Sequence, residues 1–254
     1  MKALTLYQYL EERIPRELRC EWDNDGLMCC PDPDAEVKKV LVALDISEKM
    51  VELAISEGHD LILSHHPLVF RPVKALTDAQ ATPRKLIRLV KHGITAISFH
   101  TRLDALAGGV NDVLAARLGL SNVEAFGENG EMMGRVGEIP TELALPEFAA
   151  FVKETLGAPA VLYNGERPVK RVAVLGGNGD DFIFAAKAAG ADTYVSGRLG
   201  YHPMASACED GINLIEAGHF YTENPVLSVL ADMVKSADPS IEILLGDSSE
   251  IRLI

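Results

Sequence analysis

Apolar residues run along the chain in two alternating rhythms. Short continuous stretches, VKKVLVALDI ending at Ile46, DLILS ending at Ser64 and ITAIS ending at Ser98, read as strands covered on both faces. Between them, apolar positions recur every three to four residues. SEKMVELAISEG (47–58) predicts a helix with Ser47 at its N-cap and Gly58 past its end, and TPRKLIRLVKHG (82–93) predicts another with Pro83 in the first turn. GGVNDVLAARLGL (108–120) closes this series as a further helix. At the start, Leu4, Tyr7 and Leu10 repeat at helical spacing before Glu11 and Glu12, which predicts an amphipathic helix rather than a secretory leader. No apolar run reaches the roughly 18 residues needed to span a bilayer.

A second series follows Leu120. SNVEAFGENGEMMGRVGEIP mixes Gly, Glu and apolar residues and reads as loop and antiparallel strand, and TELALPEFAAFVKETLG reads as a helix. RVAVLGG (171–177), ADTYVSG (191–197) and INLIEAG (212–218) read as strands with helices between them, and IEILLGD near the end as one more strand. Strands separated by helices of this length define an α/β fold with parallel or mixed sheets. The two halves look alike at this level, as a duplicated unit would.

Composition narrows the function. With 24 basic and 37 acidic residues among 254, the net charge is −13, a field that repels phosphate backbones and anionic headgroups. Nucleic acid and membranes are therefore excluded as expected partners, and a cation-gathering site is favoured. Cys20, Cys29, Cys30 and Cys208 form no C-x-x-C pair and read as small packed residues, which points to a reducing, cytoplasmic setting.

The candidate chemistry lies where the strands end. His65 and His66 follow LILS, His100 follows ITAISF with Asp104 four residues on, and His219 follows INLIEAG with Glu223 four residues on. Ligand sites of open α/β sheets lie beyond the carboxyl ends of their strands. Imidazoles and carboxylates together suit Zn, Fe, Mn, Co or Ni, and carboxylates can bridge two such ions. His100 reads either as a proton-transfer residue or as a histidine that fixes its loop. GGNGD (176–180) is either a backbone cradle for phosphate or a tight turn. His59, His92 and His202 read as surface or loop residues.

The segments EWDNDGLMC (21–29), LILSHHPL (61–68), SFHTRLDALAGGVND (98–112), GRVGEI (134–139), LGGNGDDF (175–182), ADTYVSG (191–197) and EAGHFYTE (216–223) occur in this order over nearly the whole length. On these segments the chain resembles the NIF-three-like family, the GTP cyclohydrolase 1 type 2 homologues. The resemblance implies two similar interleaved α/β lobes with a dinuclear metal site between them, and a homohexamer. His65, His66, Asp104, His219 and Glu223 match the family's metal ligands. The resemblance also implies a short form, because residues 121–145 leave no room for the domain that longer members insert there.

The ligands must meet, so the chain is expected to return to its first lobe at about residue 217. The expected lobes are 1–122 plus 217–254, carrying the metal ligands, and 123–216. The implied activity is that of a metal-dependent hydrolase using two divalent transition-metal ions on a nucleotide-like or small polar substrate, with His100 moving protons. The alternatives are a dinuclear phosphoesterase and a non-enzymatic metal-binding or metal-delivery protein. Two positions depart from the family pattern: Arg198 stands where an acid is usual, and Phe220 replaces a second His after Gly218-His219. Arg102 and Arg198 are the cations nearest the motifs.

Overall fold

The computed structural model describes residues 1–128 and 130–251. In chain order the helices are α1 (Ala3–Arg13), α2 (Glu48–Glu57), α3 (Ala81–His92), α4 (Thr101–Ala105), α5 (Val110–Arg117), α6 (Leu145–Leu156), α7 (Ile183–Ala188), α8 (Tyr201–Asp210), α9 (His219–Glu223) and α10 (Leu227–Ala237). The strands are β1 (Gly26–Cys29), β2 (Lys39–Ala43), β3 (Leu61–Ser64), β4 (Thr95–Ser98), β5 (Ser121–Glu128), β6 (Glu131–Leu143), β7 (Leu162–Asn164), β8 (Val169–Asn178), β9 (Thr193–Arg198), β10 (Asn213–Glu216) and β11 (Glu242–Gly246). The fold is mixed α/β, as the alternating pattern predicts.

Contacts divide the chain into two compact units, 1–103 with 227–251, and 104–226. Segments 104–122 and 217–226, expected in the first lobe, belong to the second unit. The reason is local: α5 packs on β8 and α9 packs on β8 and β9, so both follow the second sheet.

In the first unit, five described strands form a sheet in the order β1-β4-β3-β2-β11. Strands β11, β2, β3 and β4 run parallel, and β1 pairs antiparallel with β4. Their registers bring Ala43, Ser64 and Ser98 level at the carboxyl edge. Leu41, Ala43, Ile62 and Ala96 pack against Met50, Val51 and Ala54 of α2 and Leu89 of α3 on one face, and Val40, Val42, Leu61, Leu63 and Ile97 on the other are buried too, so both strand faces are apolar. Ser47 caps α2 by accepting from the Met50 amide, as its sequence predicts. The α1 stripe is Ala3, Leu6, Tyr7 and Leu10; Leu4 lies one position off it and is exposed.

In the second unit the order is β5-β6-β8-β9-β10-β7. Strands β8, β9 and β10 run parallel, with Leu175, Ser196 and Glu216 level at their ends. The stretch after Leu120 is an antiparallel hairpin of β5 and β6, and β6 continues the sheet onto β8. Phe148, Ala149 and Val152 of α6, Leu114 and Ala115 of α5 and Leu118 just past its end pack with Val172, Val174, Val195 and Ile215 in its core.

Candidate metal centre

Because β2, β3 and β4 end level, the residues that follow them emerge side by side: Asp45, the pair His65-His66, and His100. His65 is fully buried, His66 and His100 are partly buried, and one ring nitrogen of each lies within 4.8 Å of the others. Each ring also has its Nδ1 held. His65 Nδ1 sits 2.9 Å from the Phe99 carbonyl, His66 Nδ1 2.7 Å from Asp45 Oδ1, and His100 Nδ1 2.8 Å from Asp23 Oδ1. An oxygen acceptor at Nδ1 requires the proton there, which makes Nε2 the lone-pair nitrogen and fixes the ring plane. Three oriented imidazoles of this kind fit a transition metal by donor chemistry.

Asp23 is the anchor of this edge. Its Oδ2 accepts from the Thr101 amide at 3.1 Å and the Thr101 hydroxyl at 2.7 Å. Burial works to raise the Asp23 pKa, but the hydrogen bonds from His100 and Thr101 and the His100 charge outweigh it and hold the carboxyl at about 2. Asp25 accepts from the His100 amide at 3.0 Å and from Arg102 Nε at 2.9 Å. Arg102 is fully buried: it also pairs with Glu11 at 2.9 Å, donates to the Ile14 carbonyl and lies over the Phe99 ring. A guanidinium so enclosed is structural and is not open to an anionic ligand. Arg198 is exposed.

In the second unit, Asp104, His219 and Glu223 form the other donor group. His219 Nε2 lies 3.0 Å from Glu223 Oε2, and carboxylate oxygens of Asp104 and Glu223 lie within 4.8 Å of each other. The i, i+4 spacing works as the sequence suggests, because α9 is one short helical turn opening after β10. Asn111 fixes the Asp104 segment: its Nδ2 donates to the Asp104 carbonyl at 3.2 Å, and its Oδ1 accepts from the Gly176 amide at 2.8 Å. Arg135 caps the same segment through the carbonyls of Ala105 and Leu106.

Gly176 and Gly177 close β8 and Gly179 follows it. Gly176 donates to Asn111, Gly177 to Thr222 Oγ1 at 3.2 Å and Gly179 to the Arg198 carbonyl at 3.2 Å, so these amides are engaged within the unit and do not cradle phosphate. Instead they form a floor beneath α9. A Cβ on Gly177 would stand 2.2 Å from Glu223 Oε1, and one on Gly197 would stand 2.6 Å from Thr222 Oγ1 and 2.8 Å from the His219 Cα. Close approach of the ligand helix to β8 and β9 requires both positions bare.

Asp23, Asp45, Asn111 and Gly197 support this arrangement without having been singled out as candidates; the acidic run EWDNDG was the available signal for the first. Among the other histidines, His59 is buried rather than at the surface, His92 ends α3 and the exposed His202 lies in the first turn of α8. Cys20 is buried, Cys29 and Cys30 are partly so, and Cys208 is exposed rather than packed. No described helix is long and apolar enough to cross a membrane.

A two-sheet α/β fold with imidazole and carboxylate groups that could hold a metal ion at the carboxyl ends of its strands defines the class of protein. Within that class the chain belongs to the Duf34/NIF3 family (NGG1p interacting factor 3), whose sequence profile matches residues 1–249. A Clostridium perfringens protein named GTP cyclohydrolase 1 type 2 homolog is 34% identical over 257 residues, covering 98% of each chain. The crystal structure of a Staphylococcus aureus hypothetical protein, SA1388, superposes with a TM-score of 0.90 at 28% identity, over 100% of this chain and 99% of that one. Reduced HcgD from Methanocaldococcus jannaschii is 31% identical with a TM-score of 0.81, over 96% of both chains.

Proposed function

We propose that the protein is a metal-dependent hydrolase acting on a nucleotide-like or other small polar substrate. His65, His66, Asp104, His219 and Glu223 together hold two divalent transition-metal ions in this reading, and His100 transfers protons. The observation that carries it is the set of three clustered imidazoles, each with Nδ1 fixed by an oxygen acceptor. Two ions in such a donor set supply a Lewis acid and activate water near neutral pH.

The chain's own residues do the rest. His65 is oriented by a backbone carbonyl that cannot ionise, so its ring is fixed at every working pH. Asp45 and Asp23 orient His66 and His100. The Asp23 carboxylate stabilises the imidazolium when His100 takes a proton at Nε2, and the neutral ring is restored when it gives the proton to a leaving group. The name carried by the Clostridium relative makes GTP the first substrate to try. The same reading makes the protein a cytoplasmic homohexamer, which a gel-filtration mass six times that of the chain would bear out.

The test is turnover of GTP and a panel of phosphoesters by metal-loaded protein and by His100→Ala. The expected result is metal-dependent hydrolysis that His100→Ala lowers by about 10²–10⁴-fold at unchanged metal content. Retained metal with no turnover of any compound would overturn the hydrolase reading in favour of metal storage or delivery. Loss of metal in His100→Ala would make His100 a ligand.

A further inference from the structure

Beside His100 the first unit exposes two large aromatic side chains. Trp22, the only tryptophan in the sequence, is 57% exposed, and Phe70 is 46% exposed. Their rings lie 6.3 Å apart at 70°, and each stands 6.1–6.2 Å from the His100 ring. Exposed aromatics are ordinary when scattered singly. These two are paired, face one functional histidine, and come from different loops.

Hydrogen bonds rather than burial hold the pair in place. Trp22 sits at the centre of a turn closed by the Asp23 amide on the Cys20 carbonyl at 3.1 Å. The next two residues are both anchored. Asp23 is tied to His100 and Thr101, and Asn24 Nδ2 donates to the Val69 carbonyl, immediately before Phe70. The loop carrying Trp22 is thereby clamped to the loop carrying Phe70, so the two rings are ordered before any ligand arrives. Ordered, solvent-facing aromatic faces are the feature on which flat heterocycles stack.

Past Phe70 the same loop borders a groove of about 720 Å³. Its lining includes Arg71, Lys74 and Lys85 and no carboxylate, which is unusual in a chain of net charge −13. Lys85 Nζ is directed to the Ile46 carbonyl at 2.6 Å, while Arg71 and Lys74 are exposed. Cations gathered against a strongly negative background mark the place where an anionic group would be accepted.

We infer that Trp22 and Phe70 form a stacking site beside His100 for a planar heteroaromatic ring carrying an anionic group, which enters the groove lined by Arg71 and Lys74. The inference deepens the hydrolase reading by assigning residues to the substrate class, and it rests on that reading only for the chemistry that follows binding.

The single tryptophan makes the test direct. Its fluorescence is titrated with guanosine, guanosine monophosphate and ribose 5-phosphate, in metal-loaded and in chelated protein. Saturable quenching by the two ring compounds and none by ribose 5-phosphate is expected, with the monophosphate tighter than guanosine. Phe70→Ala should weaken both ring compounds by about ten-fold or more. The double variant R71S/K74S should abolish the advantage of the monophosphate alone. By calorimetry, Trp22→Phe should keep binding and Trp22→Ala should lose it at unchanged metal content.

Absence of quenching by either ring compound in both metal states would overturn the inference. So would quenching indifferent to Phe70→Ala, or a lower gel-filtration mass in Trp22→Ala, which would make the pair a contact between copies. Ring binding that survives chelation, in a protein that hydrolyses nothing, would support the stacking site while the hydrolase reading falls.

Discussion

The Asp23 carboxylate accepts from His100, from the Thr101 amide and from the Thr101 hydroxyl, so one side chain fixes both a ring and the start of α4. Its pKa lies below the unfolded value, near 2 against 3.8. The charged form is therefore the one that folding favours. That contribution is full above about pH 4 and is lost as pH falls toward 2. Asp23→Asn should cost about 1–2 kcal/mol at neutral pH and flatten the acid limb of the stability curve between pH 4 and 2, measured by urea unfolding. An unchanged acid limb would contradict this. Arg102 carries the larger penalty. Removing it leaves Asp25, whose side chain is fully buried, with the His100 amide and a 3.9 Å contact to Arg19 in place of its close ion pair, so Arg102→Ala should lower stability by about 3–5 kcal/mol, whereas Arg198→Ala, on the surface, should change it by less than about 0.5.

At the scale of elements, the site depends on how closely α9 approaches β8 and β9. Gly177 has φ +70°, and a Cβ there would meet Glu223 Oε1. Gly190 has a similar φ, +84°, with only the Arg171 side chain nearby at 3.6 Å. Both Gly→Ala changes should cost about 1–2 kcal/mol from backbone conformation, but only Gly177→Ala should also lower metal content on elemental analysis. Equal metal in the two variants would show that the glycine floor does not position Glu223. The same comparison shows what sequence can and cannot reveal. The strand ends were legible, and with them the positions of His65, His66 and His100, because parallel strands with level registers deliver the residues after them to one edge. The function of Gly176, Gly177 and Gly179 was not, since a glycine run signals close approach without saying what approaches: phosphate and Glu223 demand the same bare backbone. Asp45 was invisible for a related reason, because no spacing marks a carboxylate that reaches a ring nitrogen across a sheet edge, and Asp23 showed only as one acid in the run EWDNDG.

At the scale of the whole molecule, the chain leaves the first unit at residue 103 and re-enters at 227, where β11 pairs in parallel with β2. A return of the chain to its first unit was expected. The place of return was not, because the local packing of α9 on β8 and β9 lies outside any periodicity of the sequence. A net charge of −13 on the whole molecule favours cations, and the family resemblance read from SHHP, HTRLD and GHFYTE agrees with the profile match over residues 1–249. Metal bound by neutral imidazoles should be released as pH falls toward about 5. The most direct test of the proposed ligand set, His65, His66, Asp104, His219 and Glu223, is elemental analysis after gel filtration of the wild type, His66→Ala, Asp104→Ala and Glu223→Ala. Two transition-metal ions per chain in the wild type, and a clear loss in each variant at unchanged folding, is the expected result; a wild type without metal, or variants with undiminished metal, would contradict it.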